Sequence, residues 1–390
     1  MKEKASGSLN RFASRALRCA ACLRSPLGDR LRLVEMTASL RNLRKAALIL
    51  MAVLTGLAGC SQFGKNKPGE GGYAQALGTS GGMAAYLQDQ RLAELESVEP
   101  WQGKYGDGLK MTTAHYEIFT TLFEPLMLRQ LPRFMESAYR GYNDQLPEPI
   151  ETTNRFAVYL FADREQWEDF TRGFTGERAE LFCKIQAGAY CHNDTCVTYN
   201  IGRSRTFSAL GHEGWHQFNS RHFEYRLPSW LDEGVAMLFE QYRVEGEQFY
   251  FEPGGNEYRL DALAAALKKK RIIRLKDLLA TNPGEVLATD EEDTVMAFYS
   301  QSYALVRFLR EAAHGQRLSA YRRLLRDGLR GDWPIDNVSR QIAHDRNEPR
   351  TVLWNRIVGT GLFEKYIDED IETVEKQYIA YCRNIVEKSN

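Results

Sequence analysis

A change of periodicity near Thr206 limits the fold more than any other feature of the chain. Before it, apolar and polar residues alternate over 116–121 and 155–161, the period of half-buried strands, and helical spacing follows each run at 124–142 and 164–172. Segments 187–190 and 196–200 read as a hairpin. After Thr206 the apolar residues recur at helical spacing in 206–219, 229–243, 257–269, 292–312, 317–328, 351–358 and 370–387. Strands first and helices after predict an α+β body, with a small mixed sheet in the N-terminal half and a mostly helical C-terminal half.

The first helix after the change carries Gly211-His212-Glu213-Gly214-Trp215-His216. Two histidines four apart lie one turn apart on one face, close enough to grip a single ion, with Glu213 beside them to take a proton from a water the ion activates. Catalytic zinc asks for three protein ligands and an open position. The next helix, within Leu227-Pro228-Ser229-Trp230-Leu231-Asp232-Glu233-Gly234-Val235-Ala236, supplies Glu233 as the third ligand, and Glu240 further along can accept a hydrogen bond from a ligand imidazole. The bland alternative for Asp232 and Glu233 is charge complementing the helix dipole, and for Glu240 a solvated side chain. Gly211 and Gly214 each cost about 1 kcal/mol of helix propensity, and close approach of another backbone segment or of substrate to the ion is one reason to tolerate both.

The leader has its own pattern. Arg41, Arg44 and Lys45 precede an apolar run from Ala46 to Ala58 that closes on Leu57-Ala58-Gly59-Cys60, the pattern of a secretory signal too short to span a membrane comfortably. These last four residues resemble the lipobox of bacterial lipoproteins. That resemblance implies cleavage before Cys60, a lipid on its sulfur, and, with Ser61 next, an outer-membrane lipoprotein of the cell envelope facing the periplasm. Residues 1–35 form a dispensable extension, with Met36 as an alternative start, 36–59 the signal, 60–105 a Gly-, Ser-, Lys- and Gln-rich tether with room for one helical stretch from Met83 to Glu96, and 106–390 the folded body (106–220 sheet and metal helix, 221–390 helical). Outside the leader, Cys183, Cys191, Cys196 and Cys382 permit disulfides in an oxidising compartment, with Cys191–Cys196 the closest pair. The 51 basic and 51 acidic residues balance, so no nucleic-acid partner is expected, and the basic runs 268–271 and 322–330 read as solvated helix faces.

Together, His212-Glu213-Gly214-Trp215-His216-Gln217-Phe218 and the Pro228–Glu240 segment resemble the gluzincin branch of zinc metallopeptidases, in which the Glu of an E-G-x-A segment on the next helix is the third ligand. The stretch from Ala297 to Leu309 is similar to the following helix of bacterial members. The resemblance implies a zincin-like fold, zinc on His212, His216 and Glu233, Glu213 as general base, and Tyr303 or Tyr299 as oxyanion partner, acting on a peptide or protein substrate. Related zincins lay an extended peptide along an edge strand, which places Thr198, Tyr199 and Asn200 in the cleft. His222 is a further oxyanion possibility and otherwise a loop residue. The chain departs from aminopeptidases in a slightly shorter interval before Glu233 and in lacking their Gly-x-Met-Glu-Asn motif, which favours endopeptidase action. Two other functions stay open: a non-catalytic periplasmic scaffold, and a zinc amidase acting on cell-envelope material.

Overall fold

The computed structural model describes residues 77–185, 188–283, 285, 292–345 and 354–389; the leader, Cys60 and the start of the tether lie outside them. Six strands form one sheet: β1 (Ser97–Gly103), β2 (Gly106–Thr112), β3 (Tyr116–Thr120), β4 (Phe156–Phe161), β5 (Ala189–His192) and β6 (Thr195–Tyr199), in the order β1-β2-β3-β4-β6-β5. Strands β3, β4 and β6 run parallel, while β1, β2 and the edge strand β5 pair antiparallel with their neighbours. A helical second half follows this mixed sheet, so the architecture is α+β.

Helix α1 (Ser80–Asp89) and strand β1 fall within the segment expected to be a tether. The tether reading therefore fails for 80–103: Met83, Ala84 and Leu87 share a face and are buried, and β1 pairs along its whole length with β2. The helical stretch expected over 83–96 is present as Ser80–Asp89, but it packs on the body instead of lying in a free tether, and a strand follows it.

The parallel step from β3 to β4 passes through α2 (Pro125–Asn143), started by the Glu124 side chain accepting from the backbone N–H groups of Leu126 and Met127 and by proline at the first position. Helix α3 (Arg164–Phe174) covers the opposite face of the sheet. There Trp167, Tyr190, Val197 and Tyr199 form a small core, while Cys196 joins the main one. Strand β6 is thus interior and buried on both faces, as an inner parallel strand should be.

Helix α4 (Arg203–His222) packs on α2 and on β5 and β6. Its inner side places Trp215 and Phe218 against Tyr142, a cluster completed by Phe239. Each such side chain contributes roughly 2–3 kcal/mol of transfer free energy, enough to offset the propensity cost of the two glycines in this helix.

Helix α5 (Ser229–Ala236) follows, continued by a 3-10 turn at Met237–Phe239. The expected helix over 229–243 stops there, and β7 (Tyr242–Glu245) and β8 (Gln248–Phe251) form a separate hairpin turning at Gly246, which adopts a φ of 62°. Beyond it come α6 (Glu257–Lys268), α7 (Leu275–Ala280), α8 (Glu292–Gly315, kinked at Ala312–His314), α9 (Leu318–Arg330), α10 (Asn337–His344), α11 (Thr360–Tyr366) and α12 (Ile371–Glu387). On α9, Arg323 and Arg330 are exposed opposite buried Leu324 and Leu325, while Arg322 and Arg326 are half-buried and donate to the Asp144 carbonyl and to Asp327, so the basic run is a solvated face only in part. Among the described residues no helix is long and apolar enough to cross a membrane.

Candidate metal centre

Three glycines of α4 and α5 let neighbouring elements approach closely: the 3-10 turn after α5 at Gly211, α2 at Gly214 and α8 at Gly234. A Cβ on Gly211 would stand 2.3 Å from the Phe239 carbonyl oxygen, one on Gly214 2.3 Å from the Tyr142 hydroxyl, and one on Gly234 2.5 Å from a Val306 methyl carbon. The close partners of α4 are therefore backbone and a buried phenol; the Tyr142 hydroxyl donates to the Gly211 carbonyl at 2.8 Å. At the start of α5, Asn355 accepts from the Ser229 N–H at 2.7 Å and donates to its hydroxyl at 2.8 Å. Both helices are thereby fixed in register where their polar residues face each other.

That register brings His212, His216 and Glu233 together, with one possible ligand atom from each lying within 4.8 Å of the others. The two Nε2 atoms are 3.2 Å apart, and Glu233 Oε2 lies 3.5 Å from that of His212 and 3.9 Å from that of His216. On the far side of each ring, Nδ1 of His212 meets Glu240 at 2.9 Å and Nδ1 of His216 meets Asp232 at 3.0 Å. Ionised carboxylates only accept, so each Nδ1 carries the proton and, in a neutral ring, each Nε2 presents a lone pair. Two lone pairs and a carboxylate oxygen facing one another repel unless a cation stands among them. A tetrahedral zinc with bonds of about 2.0–2.1 Å holds two nitrogens about 3.3 Å apart, close to the separation found here. The donor set fits a divalent metal ion.

The electrostatics agree. Burial pushes both imidazoles down, yet Glu233 and Glu240 bring His212 up to about 10, and Asp232 with Glu233 brings His216 up to about 9. The cluster therefore draws positive charge, whether protons or a metal ion. Asp232 is held below the usual carboxylate range: burial pushes it up, but His216, Asn219 and Trp215 outweigh that. Glu240 is likewise held well below the usual carboxylate range by Arg259 and His212 against its own burial. Glu213 moves the other way, because burial and Glu233 outweigh the two imidazoles and the N–H of Cys191 that donates to it. A carboxylate raised toward neutrality is suited to exchanging protons.

His212, Glu213, His216, Glu233 and Glu240 line one side of a cleft of roughly 690 Å³ whose other walls come from β5, α6 and α8. Tyr299 lines it. Tyr303, one turn further along α8, does not: its ring is fully buried, its hydroxyl donates to the Pro253 carbonyl, and Arg307 donates to it at 3.1 Å. The 3.6-residue period puts both tyrosines on roughly one helix face, and the neighbouring chain decides which one meets solvent.

Three other expectations are corrected. The sheet edge beside the metal helix is β5, and Gly188, Ala189, Tyr190 and Cys191 line the cleft. Thr198 and Tyr199 lie in interior β6, the first donating to the Gly188 carbonyl and the second packed on Trp167, while the Asn200 side chain accepts from Gly202. His222 sits apart from the cleft, 2.8 Å from the Thr152 hydroxyl. Cys191 and Cys196 stand opposite each other in the ladder but carry free thiols; the hairpin is closed instead by a two-residue turn at Asn193 and Asp194, with φ of 47° and 56°.

Asp232 gains a role that helix-dipole charge did not suggest, and its place beside Glu233 was the available signal. Asn256 and Arg259, which hold Glu240, carried no signal in the sequence. No family model matches the chain, and no curated protein matches it.

Proposed function

We propose that this chain is a zinc-dependent hydrolase of the gluzincin type, an endopeptidase that holds zinc on His212, His216 and Glu233. The observation that carries the proposal is the pair of Nε2 atoms 3.2 Å apart, each with its Nδ1 proton given to a carboxylate. Zinc bound there supplies Lewis acidity toward a water and a carbonyl oxygen.

The protein's own residues do the rest. Glu213, positioned by the Cys191 N–H, accepts the water proton as the oxygen attacks the carbonyl carbon, and returns it to the leaving amine as the C–N bond breaks. The Tyr299 hydroxyl, in the cleft wall, donates to the developing oxyanion. Edge strand β5 offers backbone donors and acceptors to an extended substrate. In this reading a lipid on Cys60 tethers the body to the outer membrane, facing the periplasm, and fatty-acid labelling that survives Cys60→Ser would reject the anchor.

Metal analysis of the protein beside Glu233→Ala tests the site. Near-stoichiometric zinc that is lost in the variant is expected; equal zinc in both removes Glu233 as a ligand. Glu213→Gln should keep the metal and abolish cleavage of a peptide library, and full residual cleavage rejects Glu213 as the base. Peptides left intact while cell-wall amides are cut would move the substrate class to envelope material.

A further inference from the structure

Arg259 contributes no ligand atom, yet it is bound into the metal centre. Its Nε and Nη2 reach the two oxygens of Glu240 at 2.8 and 2.6 Å, and Asn256 donates to Oε2 at 2.9 Å. Oε1 is left turned toward Nδ1 of His212, 2.9 Å away. The guanidinium lies 5.1 Å from the ring centre of Tyr258 and 5.6 Å from that of Tyr299. Its side chain is only 14% exposed, so water competes little for these contacts. Asn256 caps α6 by accepting from the Arg259 N–H, so the start of this helix and the fork on Glu240 form one unit.

We infer that Arg259 is a positioning residue of the metal centre, acting through Glu240 on His212. A planar guanidinium bound to both oxygens fixes the plane of the carboxylate, which a lysine ammonium, a point donor, cannot do. With that plane fixed, Oε1 holds the His212 ring so that Nε2 faces His216 and Glu233. The inference rests on the metal site proposed above and adds the residue that keeps one of its ligands aimed.

The test is zinc affinity of the full chain, measured by chelator competition on variants whose folding is checked by circular dichroism. Arg259→Met is expected to weaken zinc about tenfold, at the lower end of what loss of an outer partner of a ligand histidine causes, and Arg259→Lys severalfold. With Glu240→Ala already present, Arg259→Met should add almost nothing, because no carboxylate remains to be aimed. The visible spectrum of the cobalt-loaded protein should shift in Arg259→Met, a change that loss of fold stability alone does not produce. Wild-type affinity in Arg259→Met, or a loss that adds in full to that of Glu240→Ala, overturns the inference. Wild-type affinity in Arg259→Lys overturns the role of the fork, and this variant decides the matter if Arg259→Met does not fold. A wild-type chain that takes up neither zinc nor cobalt removes the metal site and Arg259's role together, whereas uptake by wild type and all variants alike removes Arg259 alone.

Discussion

Replacing Gly211 by alanine tests how the metal centre depends on packing behind it. In an ordinary helix the change adds about 1 kcal/mol of stability. Here the new Cβ would lie 2.3 Å from the Phe239 carbonyl oxygen, about 1 Å inside ordinary contact distance. The opposing atom is backbone in the 3-10 turn just before Glu240, so neither side can yield by rotating a side chain. Overpacking costs about 1–3 kcal/mol, and against rigid backbone the upper part of that range applies, about 2–3 kcal/mol, so after the propensity gain of about 1 kcal/mol a net loss of about 1–2 kcal/mol is expected from urea unfolding. If α4 instead moves away from the turn, the Nδ1 contact of His212 with Glu240 opens and zinc affinity falls about 10–100-fold. Gly173→Ala is the control: this glycine lies exposed in α3 with nothing within 4 Å of its Cβ position, so the same substitution should stabilise by up to about 1 kcal/mol. A Gly211→Ala protein as stable as wild type and with unchanged zinc affinity would refute this account of the helix contact.

Three further outcomes are expected. Tyr299→Phe should lower kcat and leave metal content unchanged, whereas Tyr303→Phe should cost about 1 kcal/mol of stability by stripping the Pro253 carbonyl of its donor and leave turnover intact; the opposite pattern would exchange their roles. Asp232→Asn removes the acceptor that fixes the His216 tautomer, and chelator competition should show zinc weakened about 10–100-fold; undiminished affinity would remove Asp232 from the centre. Burial, with Arg221 beside it, pushes His222 down to about 4 in the folded protein, so the unfolded chain takes the proton first as pH falls. Its contribution is complete above about pH 6.5 and lost as pH falls toward 4, on the order of 1–2 kcal/mol after allowing for solvent screening of a half-buried ring; an unfolding free energy whose pH slope is the same in His222→Gln would contradict this.

The local periods of the sequence carried the fold class, because alternation and helical spacing each depend on a few adjacent side chains. The motif carried the three groups that meet at the centre, since four residues on a helix make one turn and Glu233 lies one turn into the next helix. What depended on distant chain segments was illegible. The interior position of β6 and the edge position of β5 follow from strand order, which leaves no local trace. Tyr299 and Tyr303 read alike until Pro253 and Arg307 surround one of them. Gly211 and Gly214 signalled a close approach, and only the packed structure shows that Phe239 and Tyr142 make it. Arg259 looks like any helix-surface arginine in sequence; the tertiary structure turns it onto a buried carboxylate, where a fork of donors is needed and water is scarce.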